Sequence, residues 1–324
     1  MTYGNHATPL VSVCIPTYKR KDLLKIAIES AASQSYPSLE IIVSDDSPDE
    51  ETADFVASSK FACPISYRRN DPRLGLNGNI DALFANARGE YLVLLHDDDL
   101  LLPGAIETLL APVLTDRRIK LVFGKQVIID MLGRSKPKET DKINRDFGRN
   151  RSGGAIERPI EAALLQQIPN DVFLVDTNVA RYLGYRPDHE VGVFPDIDFG
   201  IRFAEYCGPE SLWFVDDFVG CYRVSDDAIS TSVKSREVDH PFAAVALHKI
   251  AESLTLPVRS EYARTRLIRN LGTAIVKGYA KQGHRSAALS VFWSTAYGWR
   301  QRLSLHGLYQ LLFIAYPPVA RIVR

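Results

Sequence analysis

The sequence is poor in cysteine and methionine, has no excess charge of either sign, and lacks a long apolar run. Each shortage excludes something. The four cysteines, at positions 14, 63, 207 and 221, have no C-x-x-C spacing, which speaks against zinc knuckles and disulfide scaffolds. Thirty-nine basic and 39 acidic residues cancel, so bulk nucleic acid is not the expected partner. The longest stretch without a charge, 303–320, is interrupted by His306, Gln310 and the Pro317-Pro318 pair and makes a poor spanning helix. No charged leader precedes a long apolar run at the N-terminus, so no signal peptide is expected and a reducing cytoplasm is the expected compartment. Neither G-x-x-x-x-G-K-[ST] nor G-x-G-x-x-G follows the first apolar run, where PTYKRKD stands instead; this disfavours P-loop and dinucleotide-binding folds.

What is present is an ordinary soluble composition, 46% apolar and 24% charged over 324 residues, enough for one large domain or two. The first 125 residues alternate short apolar runs with helical periodicity, the pattern of a parallel α/β sheet. Strands are expected at 11–15, 40–44, 65–68, 91–95 and 121–123, with helices at 21–34, 49–59, 79–87 and 103–114. Residues 130–158 are polar and charged, and read as a mobile loop or insertion. Further strands are expected at 172–175, 212–215 and 218–224, with a helix at 198–206. Beyond a domain edge near 228–240 every segment reads helical. Charge is divided along the chain: residues 259–324 carry a net +10 and the remainder −10.

Two acidic clusters each follow an apolar strand, Asp45-Asp46 after EIIVS and Asp97-Asp98-Asp99 after YLVLLH. The carboxyl ends of strands in open α/β sheets form the ligand crevice, so both clusters are expected to line one site. Adjacent like charges need compensation. A divalent cation on a diphosphate supplies it, because hard ions take one or two carboxylates and complete their shell with phosphate oxygens and water. Capping of the following turn is the alternative reading, strongest for Asp45-Asp46 before Ser47-Pro48.

The runs VSVCIPTYKR, EIIVSDDSPDEET, NGNIDALFANARGEYLVLLHDDDLLLPGAI and FPDIDFGIRFAEY, in that order, resemble the family-two glycosyltransferases of the GT-A fold, and more specifically bacterial members that build surface polysaccharides. The resemblance implies an α/β fold with a GT-A, mostly parallel sheet flanked by helices. The catalytic domain would span 1–228, with a nucleotide-sugar half to about 127 and an acceptor half from 128, and a basic, amphipathic helical region would occupy 229–324. It implies that Pro16, Thr17 and Tyr18 cradle the nucleoside, that Asp45 accepts from the base, that Asp97 lies near the ribose, and that Asp98 with Asp99 beside it holds Mn²⁺ or Mg²⁺. Asp196 would be the catalytic base, with a helix N-cap as its alternative role. His96 stands where many members have Asp, Pro195 where Glu often precedes the base, and Ser225 where many have a metal-holding His.

The implied activity is inverting, metal-dependent transfer from a nucleoside-diphosphate sugar to a saccharide or lipid-linked saccharide acceptor, in cell-surface polysaccharide synthesis. Lys19, Arg20, Arg68, Arg69 and Arg73 are further candidates for diphosphate or acceptor contacts. A sugar nucleotidylyltransferase and a non-catalytic transferase-like binding protein stay open as alternatives; the former wants a Gly-rich loop after strand one, and PTYKRKD has no glycine. The basic C-terminal helices suit either an anionic membrane surface, as a peripheral protein on the inner face of the cytoplasmic membrane, or packing on the acidic catalytic part.

Overall fold

Val11, Val13 and Ile15 feed one hydrophobic core while Cys14 between them feeds another, and Ile41 and Val43 are set against Ile42 in the same way. Strands apolar on both faces are buried on both, which is why these runs are continuous rather than alternating. The computed structural model describes residues 8–61, 63, 65–224 and 240–315. Among them one sheet contains β1 (Val11–Thr17), β2 (Leu39–Asp45), β3 (Ile65–Arg69), β4 (Tyr91–Leu94), β5 (Leu100–Leu101), β6 (Leu121–Ile129), β7 (Gly154–Ala155), β8 (Phe173–Asp176) and β9 (Leu212–Arg223). The order is β3-β2-β1-β4-β8-β6-β9-β5, with β7 pairing β9.

The first four strands pair in parallel through β1 with β2, β2 with β3 and β1 with β4. Beyond β4 the sheet is mixed, because β8 lies antiparallel to both β4 and β6. The two strands expected at 212–215 and 218–224 are a single strand, β9, whose pairing with β6 shifts register around Lys125. On one face pack α1 (Lys21–Ala32) and α4 (Ala105–Thr115); on the other pack α3 (Gly75–Asn86), α7 (Thr177–Leu183) and α9 (Pro195–Cys207). Shorter helices complete this part: α2 (Glu51–Ser58), α5 (Pro137–Asp146), α6 (Pro159–Leu164) and α8 (Asp188–Val191).

The expected loop at 130–158 is instead ordered, containing α5 and β7. Its polar residues are the means of its folding. Asn144 Nδ2 donates to the Gln126 carbonyl at 2.9 Å, the Ile128 N–H donates to Thr140 Oγ1 at 2.9 Å, and buried Arg149 donates to Gln126 Oε1 at 3.1 Å and to the Gln167 carbonyl at 2.8 Å. Buried polar groups that find partners impose order without apolar mass, a solution invisible to composition.

The C-terminal helices are α10 (His240–Ser253), α11 (Glu261–Lys281), α12 (Arg285–Trp293), α13 (Trp299–Arg302) and α14 (Leu305–Ala315). Leu247 and Ala251 of α10 and Leu267 of α11 share a core with Ala163, Leu164, Ile197 and Ile201. A second core joins Val276, Phe292, Tyr297, Phe313 and Ile314. The four cysteines are free thiols. Ser225 and most of the expected domain edge at 228–240 lie outside the described residues.

Candidate active site

Because β1 and β4 run parallel, their carboxyl ends deliver Pro16, Asp97 and Asp98 to one edge of the sheet, where they line a cleft of ≈ 1080 Å³. Asp97 is buried; it accepts from Thr17 Oγ1 at 2.7 Å and from Arg20 Nη1 at 3.3 Å. Burial, then the neighbouring Asp98 charge, pushes its carboxyl up to about 6. Asp98 faces the cleft more openly and meets Arg20 Nη1 at 2.7 Å. Arg20 also lines the cleft, as does Arg73, whose guanidinium stacks 4.1 Å from the Tyr18 ring centroid.

The two acidic clusters do not line the cleft together. Asp45 pairs in register with Thr17 at the same sheet edge, but its oxygens accept from the Ser47 N–H at 2.7 Å and the Tyr67 hydroxyl at 2.8 Å. Asp46 accepts from Asn70 Nδ2 at 2.9 Å and the Leu74 N–H at 3.1 Å. Both stand behind the cleft lining, and Arg69 turns away to pair with Glu50.

Of the two carboxylates expected to hold a cation, Asp98 lines the cleft and Asp99 lies beneath its floor. Asp99 Oδ1 accepts the Arg223 N–H at 2.6 Å; Oδ2 has no donor within reach and faces Asp171. Burial, then the Asp171 charge, holds the Asp99 carboxyl well above the usual carboxylate range. Asp171 accepts the His96 N–H at 3.1 Å and Gln126 Nε2 at 3.0 Å. It is followed by Val172 at φ 54, a left-handed conformation that costs a β-branched residue strain. His96 meets Asn170 through Nδ1 at 3.2 Å, and its buried Nε2 has no hydrogen-bond partner among the described residues. His96, Asp99 and Asp171 offer ligand atoms within 4.8 Å of one another. A hard cation carried on a diphosphate fits Asp98, whose side chain lines the cleft; of the trio only half-buried His96 lines the cleft, and Asp99 and Asp171 lie behind its lining.

Across the cleft, Asp196 lies in the first turn of α9, after Pro195 at N1. Phe194 is the N-cap and no side chain caps this helix, so capping is not the role of Asp196. Its Oδ1 accepts the Tyr185 hydroxyl at 3.3 Å, and burial pushes it up to about 6. No Lys or Arg pairs with it among the described residues, and the facing His96 charge and the Tyr185 hydroxyl work against the rise. Nearby Asp198 is structural, held by Arg202 at 2.7 Å and Arg186 at 3.4 Å. Tyr185 is fixed by Phe84 and Phe199 at centroid distances of 5.6 and 5.3 Å. Sequence reasoning missed Tyr185, Asn170 and Asp171, which lie in loops without periodicity, and missed that α10 walls the cleft with Phe242, Ala246 and Lys249.

Residues 12–166 match the family model described as Glycosyl transferase family 2. Over that segment, a little under half of its length, the chain is similar to family-two glycosyltransferases. It is 32% identical over 167 residues to a GalNAc(5)-diNAcBac-PP-undecaprenol beta-1,3-glucosyltransferase of Campylobacter jejuni, covering 49% of this chain and 53% of that protein. It is 36% identical over 90 residues to the UDP-Glc:alpha-D-GlcNAc-diphosphoundecaprenol beta-1,3-glucosyltransferase WfaP of Escherichia coli, covering 28% of this chain and 36% of that one. The chain thus spans between about a third and about half the length of these relatives. In fold it is similar to S. aureus TarS 1-349 in complex with UDP-GlcNAc, at TM-score 0.62 and 14% identity over 94% of this chain and 87% of that one. It is also similar to the mannosyltransferase PcManGT of Pyrobaculum calidifontis in complex with GDP-Man and Mn²⁺, at TM-score 0.57 and 16% identity over 95% and 80%. The GT-A expectation therefore holds, with helices flanking a mixed sheet.

Proposed function

We propose that the chain is an inverting, metal-dependent glycosyltransferase that moves a sugar from a nucleoside-diphosphate donor to a saccharide carried on a lipid diphosphate. The observation that carries this reading is one cleft with two unlike acidic poles: strand-end Asp97 and Asp98, paired with Arg20, on one wall, and Asp196, with no Lys or Arg paired to it among the described residues, on the other. A divalent cation held by Asp98 would supply positive charge to the departing nucleoside diphosphate. Asp97, fixed by Thr17, and Pro16 position the nucleoside, with the Tyr18–Arg73 stack at the mouth. Asp45 and Asp99 hold the ends of β2 and β4 in place, Asp99 through the Arg223 N–H. Asp196 accepts the proton of the acceptor hydroxyl as that oxygen attacks the anomeric carbon, and the Tyr185 hydroxyl holds the carboxylate toward the cleft.

The named relatives support the acceptor class, since both names carry a diphosphate-linked undecaprenol. The C-terminal helices support a peripheral place on an anionic inner-membrane surface in cell-envelope polysaccharide synthesis. One face of α14 packs inward through Gln310, Phe313 and Ile314, while Leu305, Leu308, Tyr309 and Leu312 form an exposed stripe beside Trp299, Arg300 and Arg302. No helix among the described residues is long and apolar enough to cross a membrane.

The test is release of free nucleoside diphosphate from a panel of nucleotide sugars with prenyl-diphosphate-linked saccharides. Release that depends on Mn²⁺ or Mg²⁺ and on acceptor supports the reading. Pyrophosphate formation from a nucleoside triphosphate would transfer it to the nucleotidylyltransferase class, and binding without turnover to the non-catalytic one.

A further inference from the structure

Helix α10 presents Phe242, Ala243, Val245, Ala246 and Lys249 to the cleft, the spacing of one helical face. Its other face, through Leu247 and Ala251, is locked into the core shared with α9. The N-terminal end of α10 is seated against the loop that leads to Asp196. At Gly192, φ 56, an added Cβ would lie 2.5 Å from the Ala243 Cβ, and at Gly278 of α11 it would collide with the Pro241 carbonyl. Phe242 and Ala243 therefore stand at the end of α10 that meets this loop, and Lys249 lies two turns further along the wall, about 10 Å from Phe242 by helical rise.

The cations around the cleft are unequal. Arg20 is engaged by Asp97 and Asp98, Arg73 leans on Tyr18 and Asp46, and Arg223 donates to the Asp98 and Asp130 carbonyls. Lys249 makes no ion pair among the described residues.

We propose that α10 is the acceptor wall and that Lys249 receives an anionic group of the acceptor, namely the phosphate that joins its saccharide to lipid; this rests on the transferase reading above. An ammonium on a flexible stem suits phosphate as a point charge. Placed about 10 Å along α10 from the end that meets the loop leading to Asp196, it anchors the acceptor away from the reacting hydroxyl. Phe242, 45% exposed, offers its ring face to the intervening sugar.

The experiment compares three acceptors with the donor that the panel selects: prenyl-diphosphate-linked N-acetylglucosamine, a neutral alkyl glycoside of the same sugar, and an alkyl glucuronide. Lys249→Ala should raise KM about tenfold for the diphosphate-linked acceptor, leave KM for the neutral glycoside within about twofold, and leave donor KM unchanged, while Lys249→Arg restores most of the loss. A selective loss on the glucuronide alone would assign the subsite to acidic sugars and overturn the lipid-phosphate assignment. Equal losses on all three acceptors, or none, would overturn the subsite itself. If no donor is turned over, the transferase reading fails separately. The subsite then stands or falls on equilibrium binding of the prenyl-diphosphate saccharide, which Lys249→Ala must weaken about tenfold.

Discussion

The two walls of the cleft solve the same electrostatic problem in opposite ways. Asp97 and Asp196 are both carboxyls pushed up to about 6 by burial. Asp97 sits at a strand end with a hydroxyl and a guanidinium on its oxygens, arranged to hold charge in place. Asp196 has one phenol, at a long 3.3 Å, and otherwise faces the cleft. A carboxylate with few partners and a raised pKa is poised to take a proton; one clamped by Thr17 and Arg20 is not. On the proposed function, the contrast separates a wall that binds from a wall that reacts.

The strongest way to break that division is to remove charge from the binding wall. Asp98→Ala should lower transfer by about 10³-fold or more, the scale expected when charge stabilisation of a leaving group is lost. Excess chelator should reproduce the loss in the wild type, with Mn²⁺ or Mg²⁺ restoring activity. Full activity in chelator would remove the cation from the account.

On the reacting wall, Asp196→Asn keeps the size and removes the base. Turnover should fall by about 10² to 10⁴ with donor affinity nearly intact. The wild-type rate should rise with pH through about 6 and level off above it, because only the ionised carboxylate accepts a proton. Stability should run the other way. Between about pH 4 and 6 the native state holds a proton that the unfolded chain has lost, so stability falls as pH rises across that window. Denaturant titration should find the slope reduced in the Asn variant, with the Asp97 contribution remaining, and the variant more stable at pH 8 by roughly 2 kcal/mol, a figure reduced for the carboxyl's contact with the cleft.

A finer cut is Tyr185→Phe, which removes only the hydrogen bond that favours the charged form of Asp196. The rising limb should move to higher pH by up to about one unit, with a loss of tenfold at most at pH 8. An unmoved limb would make Tyr185 a packing residue between Phe84 and Phe199.

The smallest effect concerns attachment. Replacing Leu305, Leu308 and Leu312 by Ser should weaken sedimentation with anionic liposomes severalfold, and high salt should do the same through Arg300 and Arg302. Equal binding to zwitterionic liposomes would exclude the electrostatic part.

How much could be read beforehand differs between the walls for a physical reason. The binding wall is made of residues that follow strands directly, so Pro16, Asp97 and Asp98 are adjacent in sequence to the apolar runs that place them. The reacting wall draws His96, Asn170, Tyr185, Asp196 and α10 from more than 150 residues of chain, and only tertiary packing brings them together. The place of Asp196 on the cleft was legible through its motif; the phenol that meets it was not, because Tyr185 lies in a segment with neither helical nor strand period. Asp45 shows the converse: an acid after a strand looks alike in sequence whether it lines the cleft or, as here, accepts from Ser47 and Tyr67 behind it. The polar stretch at 130–158 looked unstructured because hydrogen bonds such as those of Asn144 to β6 leave no apolar period.

The most direct measurement is the anomeric configuration of the transferred sugar, read by proton NMR of the product against the donor. A single displacement, with the leaving group on the Asp98 wall and the attacking oxygen on the Asp196 wall, requires inversion. Retention of configuration would contradict it, because it needs a second displacement or a same-face attack that two opposed walls do not provide.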